Sequence, residues 1–228
     1  MRRMFGTAIA LTAVVAAAAY AQGDASRKVA GGGVTVSGWE GKVDAREAQG
    51  GASANDTKFV KEGNAFHITT GPATTYWSSA NKASGDYTVM ASFKEPEFMG
   101  LNSHAHPYGI VIGGNDLGTD NASYLYCAAY GTGTFIVRGM GPAPFQLNGR
   151  GTASPAVHKA EKKGDVVTQD IAMSVKGDKV SCSINGTEVW SAPKSEVVGA
   201  GKLKSLDGVY GIRMAHNTEA IVTGFMKM

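Results

Sequence analysis

Apolar and polar residues alternate along most of this chain, which is the pattern that half-buried β-strands produce. The clearest stretch is Ser123–Tyr130, whose small apolar side alternates with a side that carries three tyrosines. Similar stretches recur between turn residues, among which Asn185-Gly186 is the strongest two-residue hairpin signal. Because helical periodicity is almost absent, the pattern predicts one all-β domain over residues 34–228, a jelly-roll β-sandwich of two antiparallel sheets.

The predicted strands are short and evenly spaced along the sequence. Two connections, residues 94–106 and 139–164, are longer than a compact sandwich needs, and loops of this length are usually functional or disordered. The predicted strands cover residues 34–37, 58–61, 65–69, 75–77, 87–93, 110–112, 123–130, 134–138, 166–175, 180–184, 188–191, 208–214 and 220–228.

The first residues have the layout of a signal peptide. Arg2 and Arg3 precede an apolar, alanine-rich stretch that ends at Ala19-Tyr20-Ala21, with small residues where a signal peptidase requires them. We therefore predict a signal peptide at 1–21, a flexible glycine-rich segment at 22–33, and export to the periplasm or the extracellular space. No other apolar run approaches the length of a membrane span.

Charge and composition exclude some classes of partner. The formal net charge of +3 includes both arginines of the predicted signal, so the remaining domain is close to neutral and has no basic stripe for nucleic acid. The 31 glycines fit many turns, and the apolar fraction of 43% is too high for a disordered chain.

The two cysteines leave two interpretations open. The predicted export of the chain permits a disulfide between Cys127 and Cys182. Both positions also alternate with apolar residues in the middle of predicted strands, which equally suits two buried thiols.

Several segments resemble exported bacterial proteins of the concanavalin A-like lectin/glucanase superfamily. The nearest families are the 3-keto-disaccharide hydrolase domain and its laminin-G-like relatives, and the resemblance covers roughly residues 39–225. It implies a jelly roll with one concave sheet, and it leaves binding modules and hydrolases both open. The segments that carry it are YGIVIGG, SYLYC followed by GTFIVR, SING, and GVYGIRMAHN.

A glucanase of this superfamily carries E-x-D-x-x-E on one strand, which places its catalytic carboxylates on the same face. The chain has no such triplet. Glu95 and Glu97 are two residues apart, but Pro96 separates them, and we interpret both as surface charges in a loop. The laminarinase-type mechanism is therefore not expected here.

The tyrosine-bearing hairpin is the best candidate for a ligand platform. Sugar rings stack on aromatic faces, and arginine binds hydroxyl groups, so Tyr124, Tyr126, Tyr130 and Arg138 would form a carbohydrate-binding surface on neighbouring strands. The alternative is that the tyrosines fill the sandwich core and the Leu125 side faces outward. The long loop that follows could close over the platform with Phe145, Gln146, Asn148 and Arg150.

His104 and His106 have the spacing of metal ligands on an extended segment. A third ligand would have to be distant in sequence, and the candidates are His67, His158 and His216. Because a metal site needs three or four convergent ligands, we assign no metal ligand from the sequence. A sugar contact is the preferred role for His106.

The loop from Asn115 to Asn121 concentrates amides and carboxylates. Asn115 and Asp116 are predicted sugar contacts, and the loop could also bind calcium. It lacks the alternating ligand pattern of a calcium loop, and Asx turns explain the same residues without an ion.

Taken together, these observations predict an exported, lectin-like jelly-roll domain that binds a carbohydrate, has no catalytic residue of its own and needs no cofactor, with calcium left open. A glycosidase acting on 3-keto disaccharides and a structural envelope or adhesion module are the alternatives. The predicted carbohydrate contacts are Tyr124, Tyr126, Tyr130, Arg138, His106, Asn115 and Asp116.

Overall fold

A computed structural model of the protein describes residues 25–149 and 151–228. The predicted signal peptide and the first residues of the glycine-rich segment lie outside this range, as does Arg150. Among the described residues, none forms a helix long and apolar enough to cross a membrane.

The described chain is built almost entirely of strands, joined by one short α-helix, α1 (Ala45–Gln49), and two 3-10 turns, at Ala54–Asp56 and Lys194–Glu196. The strands are β1 (Gly33–Val34), β2 (Trp39–Val43), β3 (Lys58–Glu62), β4 (Ala65–Thr69), β5 (Thr74–Ala83), β6 (Tyr87–Glu95), β7 (Tyr108–Asn115), β8 (Ser123–Tyr130), β9 (Thr134–Met140), β10 (Phe145–Gln146), β11 (Thr152–Ala153), β12 (Val167–Lys176), β13 (Lys179–Ile184), β14 (Thr187–Pro193), β15 (Gly208–Met214) and β16 (Glu219–Lys227).

The strands form two sheets. The first sheet has the order β1-β3-β4-β16-β6-β12-β13-β14, and the second has the order β10-β9-β8-β7-β15-β5-β2, with β11 paired to β9. All pairs are antiparallel except the short β1–β3 pair. This arrangement confirms the predicted jelly-roll β-sandwich.

The core lies between the sheets and follows the predicted alternation. Val89, Ala91 and Phe93 of β6 point inward, as do the alternate residues of β12 and β13. The Asn185-Gly186 signal is confirmed, because these residues turn the chain from β13 to β14 with φ of 49° and 80°. Such values match a two-residue turn that only small or Asx residues adopt easily.

The described part of the glycine-rich segment contacts the sandwich. The Arg27 amide donates to Asn217 Oδ1 at 2.8 Å, and Asn217 Nδ2 donates to the Ala25 carbonyl at 2.9 Å. The Ser26 hydroxyl hydrogen-bonds Glu47 in α1. These contacts hold the segment beside the turn that follows β15, while its predicted flexibility remains a prediction.

A disulfide joins Cys127 on β8 to Cys182 on β13. The two strands belong to different sheets, so the bond crosses the core, and the sequence alternative of two buried thiols is wrong. The described residues contain no free cysteine. A disulfide in this position is consistent with an exported protein.

Glu95 differs from its predicted surface position. It is the last residue of β6 and is only 6% exposed, whereas Glu97 is exposed. Burial raises the pKa of Glu95 to about 7, although the amide of Met99 donates to its carboxylate at 3.2 Å and opposes that change. This burial was not predictable from the local pattern, because Pro96 and the polar residues around it are typical of an exposed loop.

The disulfide makes a testable contribution to stability. Changing Cys127 and Cys182 together to alanine should lower the free energy of unfolding by between about 2 and 4 kcal/mol, because the unfolded chain regains the freedom of a long loop. Urea unfolding followed by tryptophan fluorescence measures the change, with reduced wild-type protein as the control. A double variant as stable as the oxidised wild type would contradict the structural role of the bond.

Burial of Glu95 should make stability fall as the pH rises. Its pKa is near 4.5 in the unfolded chain and about 7 in the folded protein, so its protonated form stabilises the fold below pH 4.5 and this contribution is lost through pH 7. The loss is on the order of 3 kcal/mol, since each pKa unit corresponds to about 1.4 kcal/mol.

Urea unfolding from pH 4 to pH 8 tests this dependence. Glu95→Gln should remove the fall in stability, whereas Glu97→Gln, the exposed neighbour, should retain it. Parallel stability profiles for the two variants would show that Glu95 is not the group responsible.

Candidate functional site

The tyrosine side of β8 faces away from the sandwich core. Leu125, Cys127 and Ala129 lie in the main core cluster, whereas Tyr124 and Tyr126 belong to a separate cluster on the other side of the second sheet. The alternative in which the tyrosines fill the sandwich is therefore wrong. We call this opposite side, away from the first sheet, the outer face.

Strand register brings two of the predicted hairpin residues, Tyr126 and Arg138, into one row across the outer face. Tyr126 lies between Val111 on β7 and Arg138 on β9. Val111 pairs in turn with Gly211 on β15, and Gly211 pairs with Trp77 on β5. Two aromatic residues and one arginine thus share a row, with the glycine between them.

The exposed fractions of these side chains separate buried supporting residues from residues that a ligand could reach. Tyr124 and Tyr126 are only 5% and 6% exposed, and burial raises the pKa of Tyr124. Tyr130 and Arg138 are half-buried, and Gln146, which pairs with Arg138 from β10, is exposed. Among the predicted hairpin residues, the accessible ones therefore lie toward β9 and β10, whereas Tyr124 and Tyr126 are covered.

A buried arginine under this face was missed by the sequence analysis. Arg213 on β15 is 8% exposed, and its guanidinium binds both carboxylate oxygens of Asp44, one of them at 2.7 Å. It also donates to Thr75 Oγ1 at 3.1 Å and lies 5.7 Å from the centre of the Tyr126 ring. The Thr75 hydroxyl donates in turn to the Tyr124 hydroxyl at 3.1 Å.

This network holds the aromatic side chains in place. Although burial works to lower the pKa of Arg213, the carboxylate of Asp44 raises it well above its ordinary value, so the guanidinium stays charged. Arg213 stands in the segment GVYGIRMAHN, and strand alternation alone assigns it to the same side as Gly211. Its partner Asp44 is too distant in sequence to be identified that way.

The residues of the loop that was predicted to close over the platform lie partly against the core and partly at the surface. Phe145 packs against the core beside Gly139, where a Cβ would meet its ring at 2.0 Å. The Asn148 side chain binds the backbone of β9, accepting from the Val137 amide at 2.7 Å and donating to the Phe135 carbonyl at 3.2 Å. Of these loop residues, Gln146 alone extends the outer face beside Arg138, and Arg150 lies outside the described residues.

Asn115 and Asp116 lie at the end of β7, beside the start of β8. The Asn115 side chain donates to the carbonyls of Gly113 and Asp207, each at 3.0 Å. Asp116 has a φ of 54° and pairs with Lys204, while Asp120 lies 3.3 Å from Lys42. The carboxylates thus face separate lysines, and turn formation accounts for the loop.

His106 lies at the other end of β7, apart from Asn115, and the structure groups it with His104 and His216. His216 Nδ1 is 3.4 Å from Glu47 Oε1, and Glu47 also accepts from the Ala73 amide at 2.8 Å. Partial burial works to raise the pKa of Glu47, but hydrogen bonds from His216, Ser26 and Ala73 outweigh it and lower the pKa below its ordinary value. His216 was one of three candidate partners that the sequence could not separate.

The outer face has no pair of carboxylates at catalytic distance among the strands that the structure describes. Glu40 of β2 is exposed there. The next acid along the chain on the same side is Asp44, whose carboxylate is already bound by Arg213. Four residues of extended chain span about 13 Å, beyond the roughly 5 to 9.5 Å that separates the two carboxylates of glycosidases.

No known family profile matches the sequence, and no curated protein matches it. Solved structures do resemble the fold. The carbohydrate-binding module CBM66 from Bacillus subtilis has 11% identity and a TM-score of 0.54, and the alignment covers 83% of this chain and 94% of that one.

Two further structures have similar scores. A Bacillus subtilis protein of unknown function with a galectin-like fold has 10% identity and a TM-score of 0.54, with 83% of this chain and 88% of that one covered. The endo-β-1,3-glucanase of Pyrococcus furiosus has 13% identity and a TM-score of 0.51, with 85% and 88% covered. At such identities the likeness shows the fold alone, a jelly-roll β-sandwich, and the resemblance to the concanavalin A-like superfamily and to 3-keto-disaccharide hydrolases remains a prediction.

Proposed function

We propose that this protein is an exported carbohydrate-binding domain that holds its ligand on the β8–β9–β10 side of the outer face without cleaving it. The observation that carries the proposal is the position of Arg138. It is half-buried on the outer face between Tyr126 and Gln146, so part of its side chain is accessible to a ligand. Arginine carries five N–H donors, and a sugar hydroxyl or ring oxygen supplies an acceptor for those on the accessible side.

The aromatic contribution comes chiefly from Tyr130. Its ring is half-buried at the end of β8, and the pKa of its hydroxyl is raised by burial and by the nearby Tyr126, whereas Arg138 acts to lower it. Tyr126 is paired with Arg138 across β8 and β9, and Tyr130 lies on the same side of β8 as Tyr126. Tyr124 and Tyr126 support this surface from beneath, while the exposed amide of Gln146 adds a donor and an acceptor for hydroxyl groups.

Two of the similar structures belong to proteins that agree with this class of ligand. One of them is a carbohydrate-binding module and another is a β-glucanase. Binding is preferred over hydrolysis because the outer face offers no pair of carboxylates at the required distance. A hydrolase of modified disaccharides is the alternative that the sequence resemblance implies, and cleaved product is the result that would favour it.

A glycan array tests the proposal, with retained glycans analysed by mass spectrometry. Arg138→Ala should weaken binding of a retained glycan by about 10-fold or more, which corresponds to about 1.4 kcal/mol, because a charged hydrogen bond is lost. Tyr130→Ala should weaken it to a similar degree. Lys94→Ala, which removes a charge from an exposed position on the first sheet, should leave affinity unchanged.

Thermal unfolding of each variant separates loss of binding from loss of structure. Unchanged affinity in folded Arg138→Ala and Tyr130→Ala proteins would overturn the assigned surface. Failure of the wild type to retain any glycan would overturn the proposed function and favour a structural envelope or adhesion module. Cleavage of the retained glycans would show that the protein is a hydrolase and not a binding domain.

A further inference from the structure

Three histidines from distant parts of the chain converge at one end of the second sheet. His104 and His106 lie in the loop between β6 and β7, and His216 follows β15. The Nε2 atom of His106 is 2.7 Å from Nε2 of His104 and 3.2 Å from Nε2 of His216. Among the described residues, this is the one group of three potential metal ligands whose donor atoms all lie within 4.8 Å of one another.

The two neighbours of His106 Nε2 compete for a single position on that nitrogen. An imidazole nitrogen carries either one hydrogen or one lone pair in the ring plane, so His106 Nε2 can complete a hydrogen bond with one of its two neighbours but not with both. A metal ion accepts the lone pairs of all three nitrogens at once. We propose that His104, His106 and His216 bind a divalent late transition-metal ion, Zn²⁺ or Cu²⁺, through their Nε2 atoms.

One of the two distances suits such an ion directly. With zinc–nitrogen bonds of about 2.0–2.1 Å, tetrahedral ligands lie about 3.3 Å apart, close to the 3.2 Å between His106 and His216. The 2.7 Å between His104 and His106 is shorter, so the exposed His104 moves outward when the ion binds. The rings of His106 and His216 are stacked, with centroids 4.1 Å apart and planes at 18°, so they tilt when the ion binds. His104 is exposed, and its loop position lets it adjust with them.

The surroundings of His216 also match a metal site. Glu47 Oε1 lies 3.4 Å from His216 Nδ1, which leaves Nε2 of the same ring for the ion. A carboxylate that binds the second nitrogen of a metal-ligating histidine fixes the ring orientation and strengthens the ligand. Glu47 is itself held by the Ala73 amide and the Ser26 hydroxyl.

The turn that carries His216 is fixed from the other side by Asn102. The Asn102 amide donates to the carbonyls of His216 and Asn217, at 3.2 and 2.7 Å. The ion can reach the site from solvent, because His104 is exposed. Three imidazole ligands leave one tetrahedral position for water or a small ligand, as in catalytic zinc sites.

Isothermal titration of the tag-free protein with Zn²⁺ or Cu²⁺ tests the proposal, because a polyhistidine tag would bind the same ions. We expect one ion per chain, and no comparable binding of Ca²⁺ or Mg²⁺, since imidazole favours transition metals over these ions. Titration with Co²⁺ should give the intense visible bands of a four-coordinate site. A wild type that binds none of the transition metals would overturn the proposal.

Single variants assign the ligands. His106→Ala and His104→Ala should each weaken Zn²⁺ binding by about 100-fold or more, and Glu47→Gln by about 10-fold, the lower end of the range for an outer partner. His158→Ala is the matched control, because its imidazole binds the Thr168 carbonyl away from the site. Equal affinities for His106→Ala and His158→Ala would show that the three histidines are not the ligands.

Circular dichroism of each variant is the control that tests whether it is folded. Because His104 is exposed, its replacement keeps the test decisive even where His106→Ala is unstable. The site is independent of the proposed carbohydrate surface, so loss of metal binding with intact glycan binding would leave that function standing.

Discussion

The register of β8 determines both the core and the outer face of the second sheet. Side chains of a strand alternate, so a shift of one residue would turn the tyrosines into the core and bring Leu125 and Cys127 to the surface. The disulfide from Cys127 to Cys182 on the opposite sheet prevents such a shift. Positions on the outer face, including that of Tyr126 beside Arg138, therefore depend on a covalent bond on the other side of the same strand.

Local patterns allowed much of the fold to be predicted. The bounds of β4, β8 and β15 follow from alternation between turn residues, and the inward sides of β6 and β13 follow from the same period of two. Other features depended on contacts between distant residues. The first predicted strand is limited to Gly33–Val34, where it pairs with β3, and Glu95 is buried although its neighbours in sequence are polar.

The candidate sites also combine features that follow from local patterns with features that depend on distant contacts. Alternation correctly placed the tyrosines together, but it could not show that Tyr124 and Tyr126 are nearly covered, because the covering residues come from other strands and from the loop around Leu117. The convergence of His216 with His106 depends on where β15 ends relative to the start of β7. That relation is set by the pairing of Met214 with Tyr108, and no spacing within the sequence encodes it.

One short helix links the support of the outer face to the histidine cluster. Asp44 precedes α1 and binds Arg213, while Glu47 lies in its first turn and contacts His216. The backbone bonds from Glu47 and Ala48 to the Asp44 carbonyl, at 3.0 and 2.9 Å, fix the two acids relative to one another. β15 and the turn that follows it supply the basic partners Arg213 and His216, and the first turn of α1 with its N-cap supplies both carboxylates.

The two arginines of the outer face differ in the capacity that they have left for a ligand. Arg213 is only 8% exposed, and its guanidinium already binds Asp44 and Thr75. Its role is therefore to hold Tyr126 in place. Arg138 is half-buried beside the exposed Gln146, so its side chain keeps N–H donors on the accessible side of the face. This difference is the reason why the proposed ligand contact is assigned to Arg138 and not to Arg213.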